Sequence, residues 1–191
     1  MRMFTAFELP DSLKRALGSF QASLKQAIPG PVSWVREENF HITAWFLGET
    51  NSKDAACIEA RLMDGLEGVA PVEVRLNGFA WMPRANPRVL YISAKDPMAL
   101  QDVALKAKDA LLEAVPSLAL EKPFLAHVTL GRVKQPTAKL EALLGRLPVE
   151  TPAFEPFVVQ GVGLFESNLS TTGARYRRVA LVPFRQHRFI A

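Results

Sequence analysis

Twice in this chain a strand-like run and an amphipathic helix precede an apolar strand bearing a single histidine, and that order constrains the fold more than any composition does. Residues 2–8 read as the first strand; Pro10 closes it, with Asp11 or Ser12 as helix N-cap. Leu13, Ala16, Leu17, Phe20, Leu24 and Ile28 then recur at helical spacing until Pro29-Gly30-Pro31 stops them. Residues 39–47 follow as an aromatic-rich strand ended by Gly48. A helix from Ser52 to about Leu66 leads to a strand in which Val72, Val74 and Leu76 alternate with Glu73 and Arg75, and residues 89–94 are its hairpin partner. The second round opens there. Asp96 as N-cap and Pro97 at the first helical position start a helix reaching about Val115, and residues 124–133 form the second histidine-bearing strand. A short helix over 137–146 and strands over 154–165 and 175–184 complete the reading. Mixed hairpins and helices indicate an α+β architecture rather than a doubly wound parallel sheet.

At 191 residues, 49% hydrophobic and 22% charged, the chain can bury a real core, and residues 1–191 are read as one domain. One cysteine, Cys57, allows no internal disulfide or thiolate cluster and suits a reducing compartment. No apolar run approaches a membrane span, and Glu8 interrupts the opening segment before a signal-peptide core could form. A cytoplasmic, monomeric protein without membrane association is the expectation. The net charge is +4, yet Arg175, Arg177, Arg178, Arg185 and Arg188 all follow Glu166, the last acidic residue. The basic character therefore belongs to the C-terminal segment, which fits either a phosphate-rich partner or a solvated edge strand.

Only three histidines occur, and two lie in the same setting: Phe40-His41-Ile42-Thr43 and Ala126-His127-Val128-Thr129. With eight threonines in the chain, threonine two places after two of three histidines is not expected by chance. Strand side chains alternate, so each histidine shares a face with its threonine while Ile42 and Val128 point into the other layer. If the strands face each other, two imidazoles and two hydroxyls converge on a cleft. That set suits a phosphodiester. A neutral imidazole takes a proton from the nucleophile, an imidazolium protonates the leaving oxygen, and the hydroxyls bond the non-bridging oxygens. A zinc site would need further ligands, and only His187 and scattered carboxylates remain, so neither a metal nor another cofactor is expected. Unperturbed imidazoles predict a bell-shaped pH profile with an optimum at roughly pH 6–7.5. His187, among arginines and without a threonine partner, reads as a surface residue.

These residues resemble the two-histidine, LigT-like phosphoesterases, and within them the RNA 2′,3′-cyclic phosphodiesterases, also called 2′-5′ RNA ligases. The opening Arg2-Met3-Phe4-Thr5-Ala6-Phe7-Glu8-Leu9-Pro10 is similar to the family's first strand. Trp34-Val35 and Glu38-Asn39-Phe40-His41-Ile42-Thr43, closing at Phe46-Leu47-Gly48, resemble its first motif. Pro123-Phe124 and His127-Val128-Thr129-Leu130-Gly131-Arg132 resemble the second, and Leu164-Phe165-Glu166-Ser167 with Gly173-Ala174-Arg175-Tyr176 the C-terminal signature. The resemblance implies a bilobal α+β fold: two antiparallel-sheet-plus-helix lobes related by a pseudo-twofold axis around a central cleft. It further implies metal-independent hydrolysis of RNA 2′,3′-cyclic phosphate ends, tRNA halves among them, to 2′-phosphomonoesters, with His41 as proton donor and His127 as acceptor. With a 5′-hydroxyl RNA in place of water, the product would be a 2′-5′ linkage. Thr43, Thr129, Arg132, Arg175 and Tyr176 are then candidates for binding substrate. Trp45, where relatives more often carry a basic residue, shares the face of His41 by strand parity and is a candidate for stacking on a base. Strict alternation turns Arg132 away from His127, unless Gly131 permits a bulge. The competing readings are a hydrolase of small cyclic nucleotide phosphates and a non-catalytic RNA-binding module.

Overall fold

The structure, a computed structural model, describes residues 1–147, 150–170 and 173–185, the side chains of residues 52, 53, 169 and 170 excepted. His187 and Arg188 lie outside the described residues. In chain order the elements are β1 (Arg2–Glu8), α1 (Asp11–Ala27), β2 (Val32–Trp34), β3 (His41–Glu49), α2 (Ser52–Gly65), β4 (Val72–Met82), β5 (Val89–Lys95), α3 (Met98–Leu111), β6 (His127–Val133), α4 (Ala138–Leu144), β7 (Phe157–Val159), β8 (Gly161–Ser170) and β9 (Gly173–Pro183). The strands form one antiparallel sheet ordered β7-β4-β5-β6-β3-β1-β8-β9, with β2 added beside β6.

The midpoint of that order is the junction of the two histidine strands. On one side lie β3, β1, β8 and β9; on the other lie β6, β5, β4 and β7. This is the expected bilobal α+β fold. The helices exchange sides. The α1 helix follows β1, yet its Phe20 packs edge-on against Phe79 of β4 and its Gln21 bonds the backbone of β6. The α3 helix follows β5, yet its Ala104 carbonyl accepts the indole N–H of Trp45 on β3. Each lobe is thus covered by a helix that follows a strand of the other.

Local sequence explains most elements. Leu13, Leu17, Phe20 and Leu24 form the buried stripe of α1, and Gln21 lies within it. The α1 helix begins at Asp11 with Pro10 as its cap, so Asp11 sits in the first turn, where its charge meets the positive end of the helix. Asp96 is not a helix cap: it adopts a left-handed φ of 46°, Pro97 takes the cap position, and α3 starts at Met98. The run over 154–165 breaks at Gln160 into β7 and β8, which pair with β4 and β1 on opposite lobes.

Candidate active site

The β3 and β6 strands share one register pair, Ile42 with Val128, and both side chains are completely buried. Antiparallel neighbours step in opposite directions, so His41 comes level with Thr129 and Thr43 with His127. All four side chains leave the face opposite the core, and the local twofold passes through the Ile42–Val128 pair.

Each ring is oriented by the same device. His41 Nδ1 lies 2.7 Å from the Asn39 carbonyl oxygen, and His127 Nδ1 lies 2.7 Å from that of Leu125. A carbonyl only accepts, so Nδ1 carries the proton in both rings and Nε2 is left for chemistry. At His41 that nitrogen meets Thr43 Oγ1 at 2.9 Å, which donates to it while the ring is neutral. The residue whose carbonyl accepts this bond, two places before each histidine, is a feature the sequence reading missed. Asn39 also donates its side-chain amide to the Ala174 carbonyl, fastening this turn to β9.

A cavity of about 470 Å³ opens here, lined by His41, Thr43, Thr129, Arg132, Tyr176 and Phe46, with others. His127 lies beyond that lining, its ring edge-on to Tyr91 at 5.3 Å. The Tyr176 ring stands edge-on to His41 at 5.3 Å and to Phe4 at 4.9 Å. A larger cavity, about 600 Å³, separates α1 from residues 150–157, but its lining of prolines, serines, phenylalanines and two glutamates holds no acid–base pair.

Two bulges decide what else faces the cleft. On β6, Tyr91 pairs with Thr129 and Leu90 with Gly131, so Leu130 is an extra residue. Leu130 and Gly131 are both buried, the alternation slips by one, and Arg132 emerges on the cleft side. Gly131 is required because any Cβ there would come within 2.8 Å of Val32 and 3.0 Å of the Trp34 ring. On β3 the same slip occurs three places after the histidine: Ala6 pairs with Thr43 and Thr5 with Trp45, leaving Ala44 extra. Here the expectation for Trp45 fails. Its parity is reversed by the bulge, the side chain is 3% exposed, and its indole N–H donates to Ala104 in α3 at 2.6 Å. Phe46, five places after His41 as Arg132 is after His127, takes the cleft face and is 53% exposed. Trp45→Phe should therefore cost about 1–2 kcal/mol in urea unfolding and leave KM unchanged; a raised KM with unchanged stability would return the tryptophan to the cleft.

Arg175 is also misplaced by the sequence reading. Its neighbour Tyr176 faces the cleft, so alternation turns Arg175 to the exposed reverse face. Arg177, on that same face, pairs with Glu166 at 2.7 Å, and Arg178 pairs with Glu8 at 2.7 Å. The C-terminal cations are thus partly neutralised. Arg132, by contrast, has no ion-pair partner among the described residues.

The electrostatics follow from this crowding. The His41 pKa is lowered to about 4, chiefly by burial, with His127, Lys14 and Arg132 acting in the same direction and the Asn39 carbonyl opposing them. Burial also lowers His127, with Arg132 adding to it and the Leu125 carbonyl opposing. Burial raises the Tyr176 phenol, keeping it a neutral donor. Both imidazoles are therefore neutral at pH 7 beside an unpaired guanidinium, a site that an anion would complete. Among the described residues no group of three or more His, Cys, Asp or Glu side chains is placed to hold a metal ion, and no helix is long and apolar enough to cross a membrane.

Known proteins are similar to this chain in sequence and fold. RNA 2′,3′-cyclic phosphodiesterases of Thermotoga maritima and Methanothermobacter thermautotrophicus are 27% and 30% identical, over 93% and 92% of this chain and 92% and 95% of their own lengths. A Thermus thermophilus crystal structure superposes with a TM-score of 0.79 at 26% identity, covering 98% of this chain and all of the other. Escherichia coli LigT complexed with 3′-AMP shares the fold, with a TM-score of 0.72 at 19% identity over 97% of this chain and 98% of that one. The LigT-like phosphoesterase family matches residues 7–91 and 99–176, a span that includes both histidine motifs, and the chain belongs to that family.

Proposed function

We propose that this protein hydrolyses the 2′,3′-cyclic phosphate at RNA ends to a 2′-phosphomonoester, with His127 as base and His41 as acid. The observation that carries the reading is the pair of twofold-related histidines, each with Nδ1 bound to a carbonyl and Nε2 free to exchange a proton. In the step itself a water proton passes to His127 Nε2 as the water oxygen bonds to phosphorus. The bond from phosphorus to the 3′-oxygen breaks, and that oxygen takes the proton from His41 Nε2. Thr43, Thr129 and Arg132 receive the charge on the non-bridging oxygens. The activity named for the curated relatives supports RNA as the substrate, and all these groups come from one chain, which supports a monomer. A 5′-hydroxyl in place of water would make a 2′-5′ link.

The test is incubation with an RNA oligomer ending in a 2′,3′-cyclic phosphate. Only the 2′-phosphate should form, and activity should survive prolonged EDTA treatment. A 3′-phosphate product would reverse the substrate between the histidines; activity lost to EDTA and restored by Zn²⁺ would replace the mechanism.

The depressed histidines correct the expected pH optimum. The working enzyme holds one proton on the pair, and both pKa values lie below the usual 6.5 in the free protein. The alkaline limb of kcat/KM, which reports free enzyme, should therefore fall on the acid side of pH 6.5. A bound phosphodiester anion stabilises the imidazolium, so the same limb in kcat should lie at higher pH. Coincident limbs would mean that the substrate's charge does not assist protonation.

A further inference from the structure

We propose that Gln21 is a positioning residue of this site: its side-chain amide holds the β6 bulge at Leu130 that turns Arg132 into the cleft. The proposal rests on the phosphodiesterase reading above for Arg132's role, and on geometry for its own.

Gln21 is 3% exposed in the apolar stripe of α1, where an unbonded amide would be costly. Its Nε2 donates to the Val35 carbonyl at 2.7 Å and to the Leu130 carbonyl at 2.8 Å. The Leu130 carbonyl already accepts the Val35 N–H at 2.9 Å. The Leu130 carbonyl is thus satisfied without Gln21, and what the amide adds there is a fixed direction for the bulged peptide, bracketed between α1 and the segment after β2. A bulge interrupts the regular ladder, and a one-residue slip reverses every side chain beyond it. Beyond this bulge the residue in question is Arg132.

The second bulge repeats the device. Thr5, completely buried on β1, accepts the Trp45 N–H on its hydroxyl at 3.2 Å. Of three polar side chains buried among the described residues, Thr5, Gln21 and Thr50, two therefore clasp the twofold-related bulges.

The experiment is a double-mutant cycle, with Gln21→Met and the equally shaped Gln21→Glu made in parallel, each alone and with Arg132→Met. Loss of Arg132 should lower kcat by roughly 10²-fold, as for other charge-stabilising donors. Gln21→Met should lower it by at least about tenfold alone, yet by less than about twofold in the Arg132→Met background, since the two act as one unit. The second readout needs no turnover. Arg132 on β6, His41 on β3 and Tyr91 on β5 face the His127 ring; Lys14 on α1 and Tyr176 on β9 reach only His41. Arg132 depresses His127, so the His127 titration followed by NMR should move up in both Gln21→Met and Arg132→Met. Equal losses from Gln21→Met in both backgrounds, or an unmoved titration in the folded variant, would overturn the proposal. Failure of both Gln21 variants to fold would make the residue a core element only, and would also overturn it. If the wild-type protein opens no cyclic phosphate while the titration shifts as expected, the phosphodiesterase reading fails and the clasp stands.

Discussion

His127→Ala and His41→Ala are each expected to lower kcat by roughly 10²–10⁴, the range for a positioned general base or acid. Both rings already have the tautomer the chemistry requires, fixed by the Leu125 and Asn39 carbonyls, so neither can be replaced by a side chain that merely fills the space. The double variant should lose little more than the worse single one, because an acid without its base leaves a step with the same barrier. Single-turnover rates on the cyclic-phosphate oligomer measure this. A loss below tenfold in either variant would remove that histidine from proton transfer and leave it as a binding group. Thr43→Val is a milder companion: it deletes the hydroxyl at 2.9 Å from His41 Nε2 and should weaken catalysis without unfolding the chain.

The second large effect is on stability. Unfolded, His41 takes a proton near pH 6.5; folded, it resists until about pH 4. A group with its native pKa depressed contributes stability that is complete above the unfolded value and lost as the pH falls through the native one. At about 1.4 kcal/mol per unit, acidification from pH 6.5 to 4 should cost the native state about 3 kcal/mol at this residue, with His127 adding in the same direction. Urea unfolding at pH 6.5 and 4.5 measures the loss. His41→Gln shares every carboxylate with the wild type but cannot titrate at this position, so its loss over the same interval should be clearly smaller. Equal losses in both proteins would place the acid sensitivity elsewhere.

Much of this was legible in the residues. The two His-x-Thr strands, the helix over Leu13–Leu24 and the α+β class follow from period-2 and period-3.6 patterns, which are set by backbone geometry. The twofold relation was legible as a repeated order of elements, and Gly131 as the place where strand parity would break. Trp45 was misplaced because strand parity was counted across a bulge, which has no signature in apolar sequence, whereas Arg175 came from the resemblance and lies outside the lining that its neighbour Tyr176 joins. A single rule would have caught Trp45. If Arg132 reaches the cleft by slipping at the third residue after His127, the twofold-related slip after His41 exchanges Trp45 for Phe46. Gln21 had a signal too, an amide in the apolar stripe four places after Leu17, but what it bonds is set by the exchange of helices between lobes, which no local pattern carries. The pairing of Arg177 with Glu166 and of Arg178 with Glu8 likewise depends on strand register.

The exchange of helices between lobes bears on how the molecule comes into being. β1 is made early, but its partner β8 and the Tyr176 of β9 that stands against His41 are made late, so Phe4 pairs with Phe165 only near the end of synthesis. The α1 helix, in turn, covers β4 and β6, both made long after it. Neither half of the chain can assemble its own lobe, and contacts this distant in sequence form slowly and together. His41 is made 86 residues before its partner imidazole, His127, and 91 before Arg132. The site proposed to open cyclic phosphates is therefore assembled only once residues from both ends of the chain have come together.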